Sequence, residues 1–200
     1  MTLSAKSDAK VIIWNWEKQR CQAFFELVPM MKNVTVEQVS FSSIDSTVVV
    51  VTGTDYYRYL KMDGPNLKAV QTAPINRKES EIHLSQNYTC HAWLNDGRFV
   101  ICNDHGQIML LDAQGDFKGQ TISDPRKDSF HITAIATFSG VAADAAGAAA
   151  GSGGKASGAR SGFVVAGESG RIRVFVKSDA DPKKPYVRVD TTDDLFPAQE

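Results

Sequence analysis

An all-β fold made of β-propeller blades, about three and three-quarters of them in an incomplete ring, is what the sequence predicts. Three observations carry this: a degenerate internal repeat, a hairpin that precedes three of the repeats, and a further strand that follows each one. The repeat runs through Asp8 to Asn15, Asp55 to Lys61, Gly106 to Asp112 and Gly170 to Val176, each an alternation of apolar positions ending in a bulky residue. The bulky ends Trp14, Leu60, Leu111 and Phe175 lie 46, 51 and 64 residues apart. Setting aside a low-complexity insert at 140–162 brings the last spacing to about 42, close to the ~40 to 45 residues of a blade.

In chain order, the first unit has only three strands. Thr2 to Ala5 reads as the tail of a second strand, Val11 to Asn15 as the third and Gln22 to Leu27 as the fourth, while no residues remain for a first. The second unit opens with Val36 to Asp45, which contains Phe41, turns at Ser46-Thr47 into Val48 to Gly53, and closes with Leu67 to Thr72 after its repeat segment. The third opens with Tyr88 to Asn95, which contains His91 and Trp93, turns at Asp96-Gly97 into Arg98 to Cys102, and ends with Phe117 to Ile122. Asp-Gly supplies the positive φ of a tight hairpin turn. The fourth begins at Ile132 to Phe138, passes through the insert, re-emerges as Gly162 to Gly167 and finishes with Tyr186 to Asp190. Strand spacing alone leaves a non-repeating β-sandwich open as the alternative.

The insert at 140–162 is rich in Ala and Gly and nearly free of aromatic and branched residues. Such a segment cannot offset its ordering entropy by burial, so it is expected to be a mobile loop, read as a neutral expansion or as a partner-binding or modifiable loop. Lys183, Lys184 and Arg188 are followed at once by Asp190, Asp193 and Asp194, which reads as a solvated mixed-charge end with a flexible tail over 191–200.

Composition excludes several classes. With 22 basic residues against 23 acidic ones and a formal net charge of -1, the chain offers no field for a polyanion, so no nucleic-acid partner is expected. The longest apolar runs, such as Val48 to Val51, are strand-sized and no membrane span is expected. The first residues lack the apolar core of a signal peptide, which makes the cytosol the default compartment. Three cysteines, Cys21, Cys90 and Cys102, are too few and odd in number for a disulfide framework, so free thiols are expected.

The most enzyme-like grouping is Cys90, His91, Cys102 and His105. A two-residue turn at Asp96-Gly97 would pair Trp93 with Val100 and His91 with Cys102, and an imidazole facing a thiol could activate a thiolate or bind zinc. Against this, His91 stands where Val39 and Ile135 stand in the neighbouring units, a core-facing place, and Cys90 and His91 point to opposite faces of one strand. The expectation is a core histidine, with no catalytic residue, no metal and no cofactor. No phosphate loop, His-Glu-x-x-His or Gly-x-Ser-x-Gly occurs, and Gly167-Glu168-Ser169-Gly170 reads as a hairpin turn. His83 and His131 fall in blade connections. Tyr57 and Tyr59 share one strand face, and packing between blades is favoured over an exposed partner surface.

Several of these segments resemble a known family. Trp14-Asn15-Trp16-Glu17-Lys18-Gln19, Val39 to Ser42 with Val51-Thr52-Gly53, His91 to Leu94 with Gly106 to Leu111, and Phe163 to Gly167 through Arg173-Val174-Phe175 look like successive blades of the cilia- and flagella-associated protein 57 family, WD-repeat proteins of the motile-cilium axoneme. The Trp-Asp dipeptide itself is not kept, Trp14-Asn15, Leu60-Lys61, Leu111-Asp112 and Phe175-Val176 standing in its place. The resemblance implies a non-enzymatic scaffold of tandem propellers and a coiled coil that helps dock inner dynein arms and regulates ciliary beating. Its partners would be inner dynein arm subunits and doublet-associated proteins, with no small-molecule substrate. This chain has no heptad segment and is expected to be part of a longer protein. Trp14, Leu60, Leu111, Phe175, Phe41, His91 and Trp93 are its expected blade signature. The alternative function is a general cytosolic WD-repeat adaptor in trafficking or ubiquitin-ligase assembly; a metal- or thiol-dependent enzyme comes third.

Overall fold

The computed structural model describes residues 1–3, 10–27, 35–72, 87–122, 131–141, 160–168, 170–182 and 185–189. Within them the chain is all-β and forms four successive antiparallel sheets, ordered along the sequence. The first holds β1 (Thr2–Leu3), β2 (Lys10–Asn15) and β3 (Arg20–Glu26). The second holds β4 (Val36–Phe41), β5 (Val48–Gly53), β6 (Tyr56–Asp63) and β7 (Asn66–Ala69). In the third are β8 (Tyr88–Trp93), β9 (Phe99–Asn103), β10 (Ile108–Leu111) and β11 (Phe117–Thr121). The fourth comprises β12 (Ile132–Val141), β13 (Arg160–Gly167), β14 (Ile172–Lys177) and β15 (Tyr186–Val189). Every sheet keeps its strands in chain order, the up-and-down arrangement of a propeller blade, with three strands in the first sheet and four in each of the others among the described residues. Leu3 pairs with Val11, so β1 is the second strand of that blade.

One turn recurs. Leu94 N donates to Arg98 O at 2.8 Å while Gly97 N donates to Leu94 O at 3.0 Å, and the same pair of bonds closes Asn103 to Gln107, Asp112 to Asp116 and Gly167 to Arg171. Each is a three-residue loop whose third member is a glycine in the left-handed region: Gly97, Gly106, Gly115 and Gly170, with φ between 71° and 86°. This corrects the two-residue reading of Asp96-Gly97. The extra loop residue moves the register by one, so Trp93 faces Phe99, His91 faces Ile101 and Cys90 faces Cys102.

Sheets stack through three apolar clusters. Val11, Ile13 and Ala23 of the first meet Val49, Val51 and Leu60 of the second. Val48, Val50 and Tyr59 meet Trp93, Phe99 and Ile101 of the third, whose Val100, Cys102 and Leu110 meet Phe163, Val165 and Phe175 of the fourth. A strand covered on both faces has no polar side to alternate with, which is why β5 reads Val-Val-Val-Val-Thr-Gly and is buried throughout. Gly53 ends it because a Cβ there would stand 1.9 Å from the Thr35 carbonyl oxygen. Among the described residues no core cluster joins the first sheet to the fourth.

The insert is bounded more narrowly than the sequence indicates. Gly140 and Val141 continue β12, and Arg160 to Gly162 begin β13, with Val141 paired to Arg160. Its interior, like the 191–200 tail, His83, Lys183 and Lys184, lies outside the described residues.

Candidate functional site

Leu60, Leu111 and Phe175 occupy equivalent places, opposite Val49, Phe99 and Phe163, and each is buried against the preceding blade. Trp14 has the same orientation, on the face of β2 opposite Val11 and Ile13. No described element covers that face, so Trp14 is 46% exposed, its indole N–H donating to Thr2 Oγ1 at 2.8 Å. Phe41 and Trp93 are likewise equivalent, opposite Val49 and Phe99. Trp93 is buried under β4 of the preceding blade. Phe41 is 37% exposed, because the first blade has no described first strand to cover it.

The polar centre of the molecule is the seam between the second and third blades. Alternation along β4 turns Val39 toward the first blade and therefore Gln38 and Ser40 toward β8. Ser40 Oγ lies 2.6 Å from His91 Nε2, and Thr52 Oγ1 lies 2.9 Å from His91 Nδ1. Trp93 Nε1 donates to Ser40 Oγ at 2.9 Å. A proton order of Trp93 to Ser40, Ser40 to Nε2 and Nδ1–H to Thr52 satisfies the neutral imidazole on both sides. β8 is an edge strand, and the Gln38 amide caps the His91 backbone there: Nε2 donates to His91 O at 2.9 Å and His91 N donates to Oε1 at 2.8 Å. Burial pushes the His91 pKa down to about 4, so the ring is neutral at pH 7. His91 thus joins blades and is sealed from any reactant.

Tyr57 and Tyr59 span the same seam. Their hydroxyls donate to the carbonyls of Gly115 and Ala113 at 2.9 and 2.8 Å, anchoring β6 to the β10–β11 turn. Burial pushes the Tyr57 phenol well above its ordinary value. Both face the interior between blades, as their shared strand face predicts.

The Cys/His grouping does not assemble. His91 and Cys90 point to opposite faces, and His105 binds Asp104 in the β9–β10 loop. Among the described residues no three metal-ligating side chains converge. Cys90 and Cys102 are instead direct cross-strand neighbours; the Cys102 thiol hydrogen-bonds Cys90 and lowers its pKa, while burial pushes Cys102 up. All three cysteines are free, and Cys21 alone is exposed. Titration of the native chain with a thiol reagent should therefore modify one cysteine promptly and the other two only on unfolding, as peptide mapping by mass spectrometry would read. Prompt modification of Cys90 would contradict the packing around β8.

The sequence reading passed over Gln38, Ser40 and Thr52. The available signal was the alternation itself, since polar residues stand on the one face of β4 that must meet another blade.

Fold and seam together define a stack of propeller-type blades joined by buried contacts. The chain is similar in sequence to two particular proteins. It is 31% identical over 121 residues, 60% of its length, to cilia- and flagella-associated protein 57 of the mouse. It is 26% identical over 189 residues, 93% of its length, to cilia- and flagella-associated protein 57 A of Tetrahymena thermophila. The resemblance seen in the blade segments is thereby borne out. The chain spans 9% and 13% of these two relatives, about a tenth of their length. No protein-family model matches it.

Proposed function

We propose that the chain forms part of a non-enzymatic WD-repeat scaffold of the motile cilium, an axonemal platform that contributes to inner dynein arm docking and to regulation of beating. The observation that supports this most is the similarity to two proteins named for cilia and flagella, one of them over 93% of the chain. The blade stack supports it physically: rigid sheets fix the strand ends, and the hairpin turns between them present varied side chains to partners. Its partners on this reading are inner dynein arm subunits and doublet-associated proteins. Passing an extract of motile cilia over the immobilised chain and identifying retained proteins by mass spectrometry tests it. Enrichment of inner dynein arm subunits over a blank column is the expected result; retention of trafficking or ubiquitin-ligase components in their place would replace it with the cytosolic adaptor reading.

A further inference from the structure

The β2–β3 hairpin turn and the β6–β7 turn enclose a groove of about 430 Å³, lined by Asn15, Lys18, Arg20, Gln22, Gly64 and Pro65 together with Cys21. We infer that this groove is a docking site for an acidic peptide segment of a partner protein. It rests on the platform reading for its biological setting and names the chemistry of one contact surface on that platform.

Charge is the first argument. The lining carries the cations Lys18 and Arg20 and no carboxylate. Several other cations of the stack do have a carboxylate partner: Lys10 with Glu26 at 3.2 Å, Arg98 with Asp96 at 2.6 Å and, on the β6–β7 hairpin itself, Lys68 with Asp63 at 2.7 Å. Among the described residues neither Lys18 nor Arg20 has a carboxylate within 4.0 Å. Glu17 is in the same turn but does not line the groove. A guanidinium and an ammonium lining one groove, together with the Asn15 and Gln22 amides, suit carboxylates carried on an extended chain.

Shape is the second. Gly64 leaves its side of the groove open, with no atom within 4 Å of the place a Cβ would take. The opposite wall is a structured turn: Lys18 N donates to Asn15 Oδ1 at 2.8 Å, and Gln19 takes a left-handed φ of 47°. The same turn holds Trp16 at 81% exposure, the most exposed large apolar side chain of the described residues. Tryptophan and arginine are enriched at interaction hot spots, and this hairpin carries both, Trp16 in the turn and Arg20 in the groove lining. Because one wall is from the first blade and the other from the second, the groove exists only while these blades are stacked.

The test uses the whole chain and a fluorescein-labelled decaglutamate peptide, read by anisotropy, with a Ser-Gly peptide of equal length as control. Decaglutamate should bind and the control should not, with affinity falling as salt is raised. Reversing both charges in Lys18→Glu/Arg20→Glu should weaken binding by at least about tenfold, since it removes two ion pairs and puts repulsion in their place. Arg171→Glu, on another blade, should leave it unchanged. Lys18→Ala/Arg20→Ala, with a smaller loss, serves if the reversed variant fails to fold. Binding indifferent to these substitutions, or equal binding of the control peptide, overturns the assignment. The two readings fail separately: if the reversed variant retains the same ciliary proteins as the native chain, the platform stands and the groove is not its contact.

Discussion

Phe99→Ala is expected to destabilise the folded chain by about 3 to 5 kcal/mol, the largest effect of any single truncation in the seam. Phe99 is fully buried, and its ring stands 4.7 Å from Trp93, 6.2 Å from Tyr57 and 6.4 Å from Tyr59. It therefore carries both the hydrophobic contact between the second and third blades and the aromatic contacts that position the two tyrosines hydrogen-bonded to Ala113 and Gly115. Since domains are stable by only about 5 to 15 kcal/mol in all, a loss of this size should lower the urea midpoint by a large fraction of its value. Equilibrium urea unfolding followed by tryptophan fluorescence measures it. A loss below about 1 kcal/mol would mean that the blades do not pack through Phe99.

The second large effect is on pH. The folded His91 pKa of about 4 lies below the ~6.5 of an unfolded histidine. As pH falls through 6.5 the unfolded chain takes up a proton that the folded chain refuses, so stability is full above that value and declines until the folded ring also protonates near 4. From pH 7.5 to pH 5 the loss from this one residue is about 2 kcal/mol. A charged imidazole would also place a proton on both nitrogens and reverse one of the hydrogen bonds to Ser40 and Thr52. Replacing His91 by leucine should lower stability at pH 7, because Ser40 and Thr52 lose a buried partner, and should flatten the pH dependence between 7.5 and 5. An unchanged slope in His91→Leu would assign the titration elsewhere.

Much of this architecture was legible in the alternation of apolar residues. The period of the bulky positions Leu60, Leu111 and Phe175 followed from their common task of facing a preceding blade. Register was not legible to the same degree. Asp96-Gly97 suits a two-residue turn as well as the last two places of a three-residue one, and only the Leu94 to Arg98 closure decides between them. One residue of slip exchanged Cys102 for Ile101 opposite His91 and removed the pairing of imidazole and thiol on which the enzyme reading rested. The polar seam was hidden for a different reason. Gln38 and His91 are 53 positions apart, and a side chain that caps the backbone of another blade leaves no local pattern. Trp14 and Phe41 stand at places equivalent to Leu60 and Trp93, yet their exposure depends on what lies over them, and no local pattern records that.

The central claim, that this stack of blades belongs to a scaffold fixed in the motile cilium, is tested most directly by epitope-tagging the full-length protein in ciliated cells. Isolated cilia are extracted with detergent, and the axonemal pellet is compared with the soluble fractions by immunoblot. The account predicts that the protein stays with the axoneme after membrane and matrix are removed. A protein found throughout the cell body and missing from isolated axonemes would contradict it.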